Sequence, residues 1–299
     1  MIDSMAAIVR AAKAAGRKRI AVAAAQESSA LEAVLDAWKN GIAEPLLIGD
    51  LAAIDELASQ IGVDLSKFER FQAKDNAAAA AKAVELVRSG KADMVMKGML
   101  DTAILLKAVL NKEAGLNAGR LVSHVAVMEV PTYHKLLFIT DAAITIAPDI
   151  PAKLDIIANA VQAAAALGIQ KPKVALLAAV EKVKWDKMPC TADAAIITQM
   201  NRRGQVKGCI VDGPLALDNA ISAESARVKK IVSEVAGDAD ILVVPNLEAG
   251  NILYKSLVDL GQAKAAAIVM GASKPVVLTS RSDNAETKLA SIALAALAS

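Results

Sequence analysis

Short apolar runs alternate along the chain with longer stretches whose apolar residues recur at helical spacing. RIAVAAA at 19–25 reads as a strand and precedes a helix over about 28–40; PLLIGD at 45–50 precedes a second helix. A short strand near 70–73 leads into DNAAAAAKAVELVRSG, an alanine-rich helix ended by Gly90, and ADMVMKG at 92–98 leads into a helix from Asp101. VSHVAVMEV at 122–130 and KLLFITDAAITIAP at 135–148 are two apolar runs with no helical stretch between them, which predicts an antiparallel pair. Alternation then resumes. A helix over 151–167, a strand at 174–180, a helix over 191–202 and a strand at 208–215 follow, then a helix over 222–234 and the strand ILVV at 241–244. AAIVMG and PVVLTS are the last strands, and a helix from Asp283 runs almost to the C-terminus. Continuous apolar strands separated by helices predict parallel sheets covered by helices on both faces.

This is too many strands for one small sheet, and 299 residues suit two ordinary domains. The break in alternation near 128–142 is the best boundary, with the last strand and helix returning to the first domain. The expected division is 1–128 plus 276–299, and 129–275.

Composition narrows the class. Hydrophobic residues make up 55%, enough for a sizeable core, yet no apolar run is long enough to span a bilayer. No basic-then-apolar leader opens the chain, so a cytoplasmic protein without a membrane partner is expected. A net charge of +2 with mixed signs, and only 2% aromatic residues, give no case for nucleic acid. Cys190 and Cys209 lack CxxC spacing, and His124 and His134 are not at i,i+4, so no metal site is expected. Neither a Gly-x-Gly-x-x-Gly nor a Walker pattern occurs.

The chemistry gathers where strands end and helices begin, which is where open α/β sheets hold ligands. In PNLEAGNILYKSL at 245–257, Asn246 can cap a helix and Gly250 can admit another backbone, while Asn251, Tyr254 and Lys255 share one helix face. In LTSRSDNAETK at 278–288, Ser280 and Arg281 occupy the turn before a helix. A helix start favours anions, and an arginine there opposes the dipole unless an anion lies between. Asp283 and Glu286 stand at capping-box spacing, which predicts Asp283 as the cap. MKGMLDT at 96–102 places Lys97 at a strand end, where it is either a phosphate partner or a solvated lysine. AGRLVSH places Arg120 and Ser123 beside a strand start, as anion contacts or ordinary surface polarity. VDGPLALDNAIS at 211–222 adds a Gly-Pro turn with Asp212 and Asp218.

DGPLALDNAIS, EVAGDADILVVPNLEAGNILYKSL and KPVVLTSRSD closely resemble the phosphate acetyl/butyryltransferase family, as do MKGMLDT, GRLVSHVAVMEV and TDAAITIAPD. The resemblance spans essentially the whole chain in order. Acetyl-type members carry a serine-arginine-glycine-cysteine-serine run before paired aspartates. This chain reads Ser280, Arg281, Ser282, Asp283, Asn284, Ala285, Glu286, which together with SIALA at 291–295 is similar to the butyryltransferase branch.

The resemblance implies two α/β/α domains with a cleft between them, similar in fold to isocitrate and isopropylmalate dehydrogenases. It implies transfer of a short acyl group, butyryl or branched, between coenzyme A and inorganic phosphate. Coenzyme A would be a substrate, with no resident cofactor, in a dimer or higher homo-oligomer. Ser280 and Arg281 match residues at the reacting centre, and Arg120 matches a coenzyme A contact. Lys97, Ser123, Asn251, Tyr254 and Lys255 would line the site. The family's base aspartate falls near Glu286 or Thr287, so Glu286 is expected as base and Asp283 as cap. Three alternatives stand beside this reading: an acetyl-specific enzyme, a non-catalytic acyl-coenzyme A binder, and a decarboxylating dehydrogenase. The last would need clustered aspartates and a nicotinamide site, which the sequence does not assemble.

Overall fold

The computed structural model describes residues 2–279 and 283–299. In chain order its first elements are α1 (Met5–Ala15), β1 (Lys18–Ala23), α2 (Ser28–Lys39), β2 (Ala43–Gly49), α3 (Leu51–Gln60) and β3 (Arg70–Gln72). Next come α4 (Asn76–Arg88), β4 (Met94–Lys97), α5 (Thr102–Val109), β5 (Ser123–Glu129), β6 (Leu137–Thr140), α6 (Ile150–Ala166) and β7 (Lys173–Leu177). Then follow α7 (Pro189–Arg202), β8 (Ile210–Leu215), α8 (Leu217–Ile221), α9 (Ala223–Val228), β9 (Ile241–Val243) and α10 (Leu247–Lys255). A π-helical turn over Ser256–Leu260, β10 (Lys264–Met270), β11 (Val276–Val277) and α11 (Ala285–Ala298) complete the order.

The chain divides into two compact units. One is Met5–Arg120 with Ala266–Ser299; the other is Leu121–Ala265 with the residues up to Ser4. Patterning sets the divide at 128/129 and 275/276 instead. Strand pairing explains the shift. β5 pairs antiparallel with β6 and so goes with the second unit, while β10 pairs antiparallel with β11, which lies parallel to β4 in the first.

The first unit orders its strands β3-β2-β1-β4-β11-β10, parallel except for β10. β1 and β4 are interior and buried along nearly their whole length, as their unbroken apolar runs require. β3 lies at the margin, alternates exposed and half-buried, and carries Arg70 paired with Asp55 of α3. α11 buries residues on almost every side, so it reads as apolar throughout rather than amphipathic. Its Ser291 hydroxyl accepts from Ala267 N at 2.9 Å and donates to Thr287 O at 2.7 Å, tying the helix to β10. Patterning misses α1, whose short alanine-rich sequence buries only Met5, Ile8 and Ala12.

The second unit orders its strands β5-β6-β9-β7-β8, parallel except for β5. The strand expected over 135–148 stops at Thr140. Asp141, which is buried, ends it: its carboxylate accepts from the amides of Ala143, Ile144 and Thr145 and from the Thr145 hydroxyl, all within 3.1 Å. A residue that gathers four donors into a turn cannot continue a ladder. The helix expected over 222–234 is also cut short. Ser222 ends α8 and caps α9, accepting from Ser225 N, and α9 closes at Val228.

At the amino ends of β6, β9 and β7 lies an ion network. Asp238 takes Lys135 at 2.9 Å, Lys173 at 2.7 Å and His134 at 2.8 Å, and Asp240 takes Lys135 at 2.7 Å. Burial alone would raise the Asp238 carboxyl; bonds from Lys173, Lys135 and His134 outweigh it and hold the group well below the usual carboxylate range. A depressed carboxyl stabilises the fold above its unfolded value, near ~3.9, and that contribution is lost as pH falls toward the folded value. Stability measured by denaturant should therefore decline below about pH 4. Asp238→Asn should lower stability at neutral pH by about 1 kcal/mol, screened because the site is partly exposed, and should flatten the acid decline. An unchanged acid limb would remove the network from the account.

Candidate active site

In the first unit, the parallel register brings three strand ends to one edge. Ala23 pairs beside Lys97, and Val277 beside Met96, so Leu278 and the buried Thr279 run out along the side of Lys97. Gly98 lets this edge close. Its amide donates to Ala23 O and that of Met99 to Ala24 O, at 2.8 and 2.7 Å. Lys97 is not the solvated lysine that its sequence also allows. It is buried, and its Nζ donates to Gly98 O at 3.2 Å and Leu100 O at 3.3 Å. Desolvating an ammonium is costly, so its turn supplies carbonyls to replace water. The next helix, α5, begins after Asp101, whose side chain makes no capping bond.

Ser280 and Arg281, the centre of the expected site, lie outside the described residues, as does Ser282. The helix that follows corrects one expectation. Asn284, not Asp283, caps α11, with its side chain accepting from Thr287 N at 2.8 Å. Asparagine is as good a cap as aspartate, and its position sets the helix start one residue later. Glu286 is then the second helical residue, exposed in the first turn, and not the third that a capping box requires. Removing the cap with Asn284→Ala should cost about 1 kcal/mol, read from thermal melting, while Asp283→Ala should not carry a cap's cost.

In the second unit, β9 ends at Val243 and Asn246 caps α10, accepting from Ala249 N at 2.9 Å. Gly250 then meets the turn after β6. A Cβ there would lie 2.6 Å from Asp141 O and 2.8 Å from Val244 Cγ2. Asn251 donates to Ala142 O of the same turn at 3.2 Å, and the Tyr254 ring meets His124 edge-on at 6.1 Å. Gly250, Asn251 and Tyr254 thus dock α10 on the β6 turn and β5, while Lys255 stays exposed at the end of the same helix.

Arg120 is half-buried and is the last residue of the first unit's long segment. The chain just beyond it is pinned to α6: Leu121 N donates to Asp155, and Asn159 donates to Leu121 O and to the Ser123 hydroxyl. Ser123 is therefore a buried strand–helix contact, not surface polarity. Patterning misses Asp141, Asp155 and Asn159. An aspartate directly after an apolar run, and a lone asparagine on the apolar side of α6 between Ile156 and Ala163, were the available signals.

The chain matches the family described as "Phosphate acetyl/butaryl transferase" over residues 4–82 and 74–296. It belongs to that family. It is 52% identical over 297 residues to the phosphate butyryltransferase of Clostridium acetobutylicum, covering 99% of this chain and 98% of the relative. Among solved structures it is similar to a branched-chain phosphotransacylase from Enterococcus faecalis, with TM-score 0.81, 35% identity, and 94% and 98% of the two chains covered. A 4-hydroxythreonine-4-phosphate dehydrogenase from Klebsiella pneumoniae shares the fold at TM-score 0.54 and 13% identity, covering 94% of this chain and all of that one. The expected α/β architecture of dehydrogenase type is thus the observed one. No helix among the described residues is long and apolar enough to cross a membrane.

Proposed function

We propose that the protein transfers a short acyl group, butyryl or branched in preference to acetyl, between coenzyme A and inorganic phosphate. The observation that carries this is the 52% identity to a phosphate butyryltransferase over nearly the full length of both chains. In one direction the coenzyme A thiolate attacks the carbonyl carbon of an acyl phosphate, and phosphate leaves with the electron pair of the C–O bond. In the other, a phosphate oxygen attacks the thioester and the thiolate leaves. Both pass through a tetrahedral oxyanion that needs fixed donors, and both need a cation for phosphate. Arg281 and Ser280 are assigned to these oxygens, with Lys97 and Lys255 as further cations and Arg120 toward coenzyme A. Asn251 and Tyr254 are assigned to positioning.

A free thiol titrates near ~8.5, so a carboxylate must take its proton. Asp283 and Glu286 flank the cap and are both assigned to this step. Its owner is the residue whose amide variant flattens the rise of turnover with pH. The reading carries a cytoplasmic setting, consistent with two free thiols, Cys190 and Cys209, and a homo-oligomer without a resident cofactor.

The test is release of free thiol from acetyl-, butyryl- and isobutyryl-coenzyme A with and without phosphate or arsenate. Release should require the oxyanion. Specificity constants for four-carbon chains should exceed that for acetyl in graded fashion, because a methylene in an apolar pocket is worth about 1–3 kcal/mol. A clear acetyl optimum would contradict the preference, and no anion-dependent release with any chain would end the reading.

A further inference from the structure

A half-open hollow of about 450 Å³ lies at the amino ends of β7 and β8, wholly inside the second unit. That size suits a small-molecule site, for which about 300–1,000 Å³ is usual. Its loops, rather than the strand ends, build it. Asn201, near the end of α7, donates to Val206 O at 2.9 Å and Cys209 O at 3.1 Å and accepts from Val211 N at 3.0 Å. These three bonds fix the loop from α7 to β8. On another wall the Ser233 hydroxyl accepts from Val235 N at 3.0 Å and Ala236 N at 3.1 Å. The hollow is therefore held in shape by its own side chains.

Its lining carries an unusual balance of charge. Lys171, Arg202 and Lys207 line it, and all three are exposed. Among the described residues, no carboxylate lies within 4.0 Å of Lys171 or Lys207, whereas Lys173, two residues on, is paired with Asp238 at 2.7 Å. Arg202 meets Asp212 only at 4.0 Å, which leaves most of its fork for another acceptor. The carbonyls of residues 199–201, which would repel an anion at the end of α7, are taken by the amides of residues 203–205. Asp212 and Glu234 share the lining, so a bare polyphosphate would meet repulsion as well as attraction. Val206 and Val235 add apolar surface. Cations suit phosphates, a carboxylate accepts from ribose hydroxyls, and apolar surface suits the face of a base.

We infer that this hollow binds a nucleoside diphosphate, with Lys171, Arg202 and Lys207 on the phosphates and Asp212 and Glu234 toward the ribose. The site needs none of the residues assigned to acyl transfer, so its test is separate from that reading.

Binding of ADP to the whole protein would be measured by titration calorimetry, and hydrogen exchange would locate it. ADP should slow amide exchange over residues 203–210. Lys207→Glu and Arg202→Ala should each weaken ADP by about tenfold and remove that slowing. Both side chains are exposed, so the fold should survive, and Lys91→Glu in the first unit should change neither readout. Glu234→Ala should weaken ADP by about threefold or more and leave pyrophosphate no weaker, since only the nucleotide carries a ribose. Coenzyme A in the same assay distinguishes a free nucleotide from the nucleotide end of a larger molecule: slowing over 203–210 by either supports the site. No binding of ADP at millimolar concentration, binding without slowing over 203–210, or affinity unmoved by Lys207→Glu and Arg202→Ala would overturn it. Pyrophosphate binding as tightly as ADP would overturn the nucleoside part.

Discussion

Arg281→Ala is expected to cut turnover by about 10²-fold or more, the loss that follows removal of a preorganised donor to a developing oxyanion. The argument begins in the sequence. An arginine just ahead of a helix opposes the dipole, so it adds little to helix stability and needs another reason to be there. Phosphate, or the charge growing on the acyl oxygen, supplies one, because a guanidinium fork matches an oxyanion with two parallel bonds. The structure adds an independent point. α11 takes its cap from Asn284, three residues beyond Arg281, so the alanine variant leaves the helix start intact. Melting temperature should hold while activity falls. Arg281→Lys should recover only part of the loss, since an ammonium keeps the charge but not the fork. Arg120→Ala should behave differently, raising the Michaelis constant for coenzyme A with turnover preserved, as loss of uniform binding does. An Arg281→Ala enzyme within about threefold of the parent would remove this residue from the reacting centre.

Much of the fold was legible because interior parallel strands leave a plain signal. β1, β4, β7 and β9 are buried on both faces, and their unbroken apolar runs can be read without knowing what covers them. What escaped was set by side chains acting on the backbone. KLLFITDAAITIAP is apolar across Asp141, so hydrophobicity carries the expected strand past the residue whose carboxylate ends it. The same kind of choice misplaces the α11 cap, because Asp283 and Asn284 are adjacent and equally able, and only the Asn284 bond to Thr287 N decides. Site residues were legible to different depths. Gly250 and Asn246 carried a stated structural reason, and it is the one observed. Lys97 was legible as a cation at a strand end but not as a buried one. Its burial depends on carbonyls of residues 98 and 100, which no sequence pattern announces.

Gly98→Ala should cost about 3 kcal/mol of stability, at the upper end of overpacking, and take activity with it. A Cβ at this position would overlap the Ala24 carbonyl oxygen and lie 2.8 Å from Ala23 O. Both are backbone atoms of the chain beside it, so no side chain can rotate away and the ends of β4 and β1 must part. Parting them breaks the amide bonds from Gly98 and Met99 to Ala23 and Ala24. It also moves Gly98 O, one of the carbonyls that holds the buried Lys97 ammonium. The expected result is a lower melting temperature and a weaker affinity for phosphate together. Gly16→Ala separates crowding from backbone strain. Gly16 has φ of +94°, and an added methyl there would find nothing within 4 Å, so its variant should lose only about 1 kcal/mol. If Gly98→Ala melts no lower than Gly16→Ala, the close approach of β4 to β1 is not what the glycine is for.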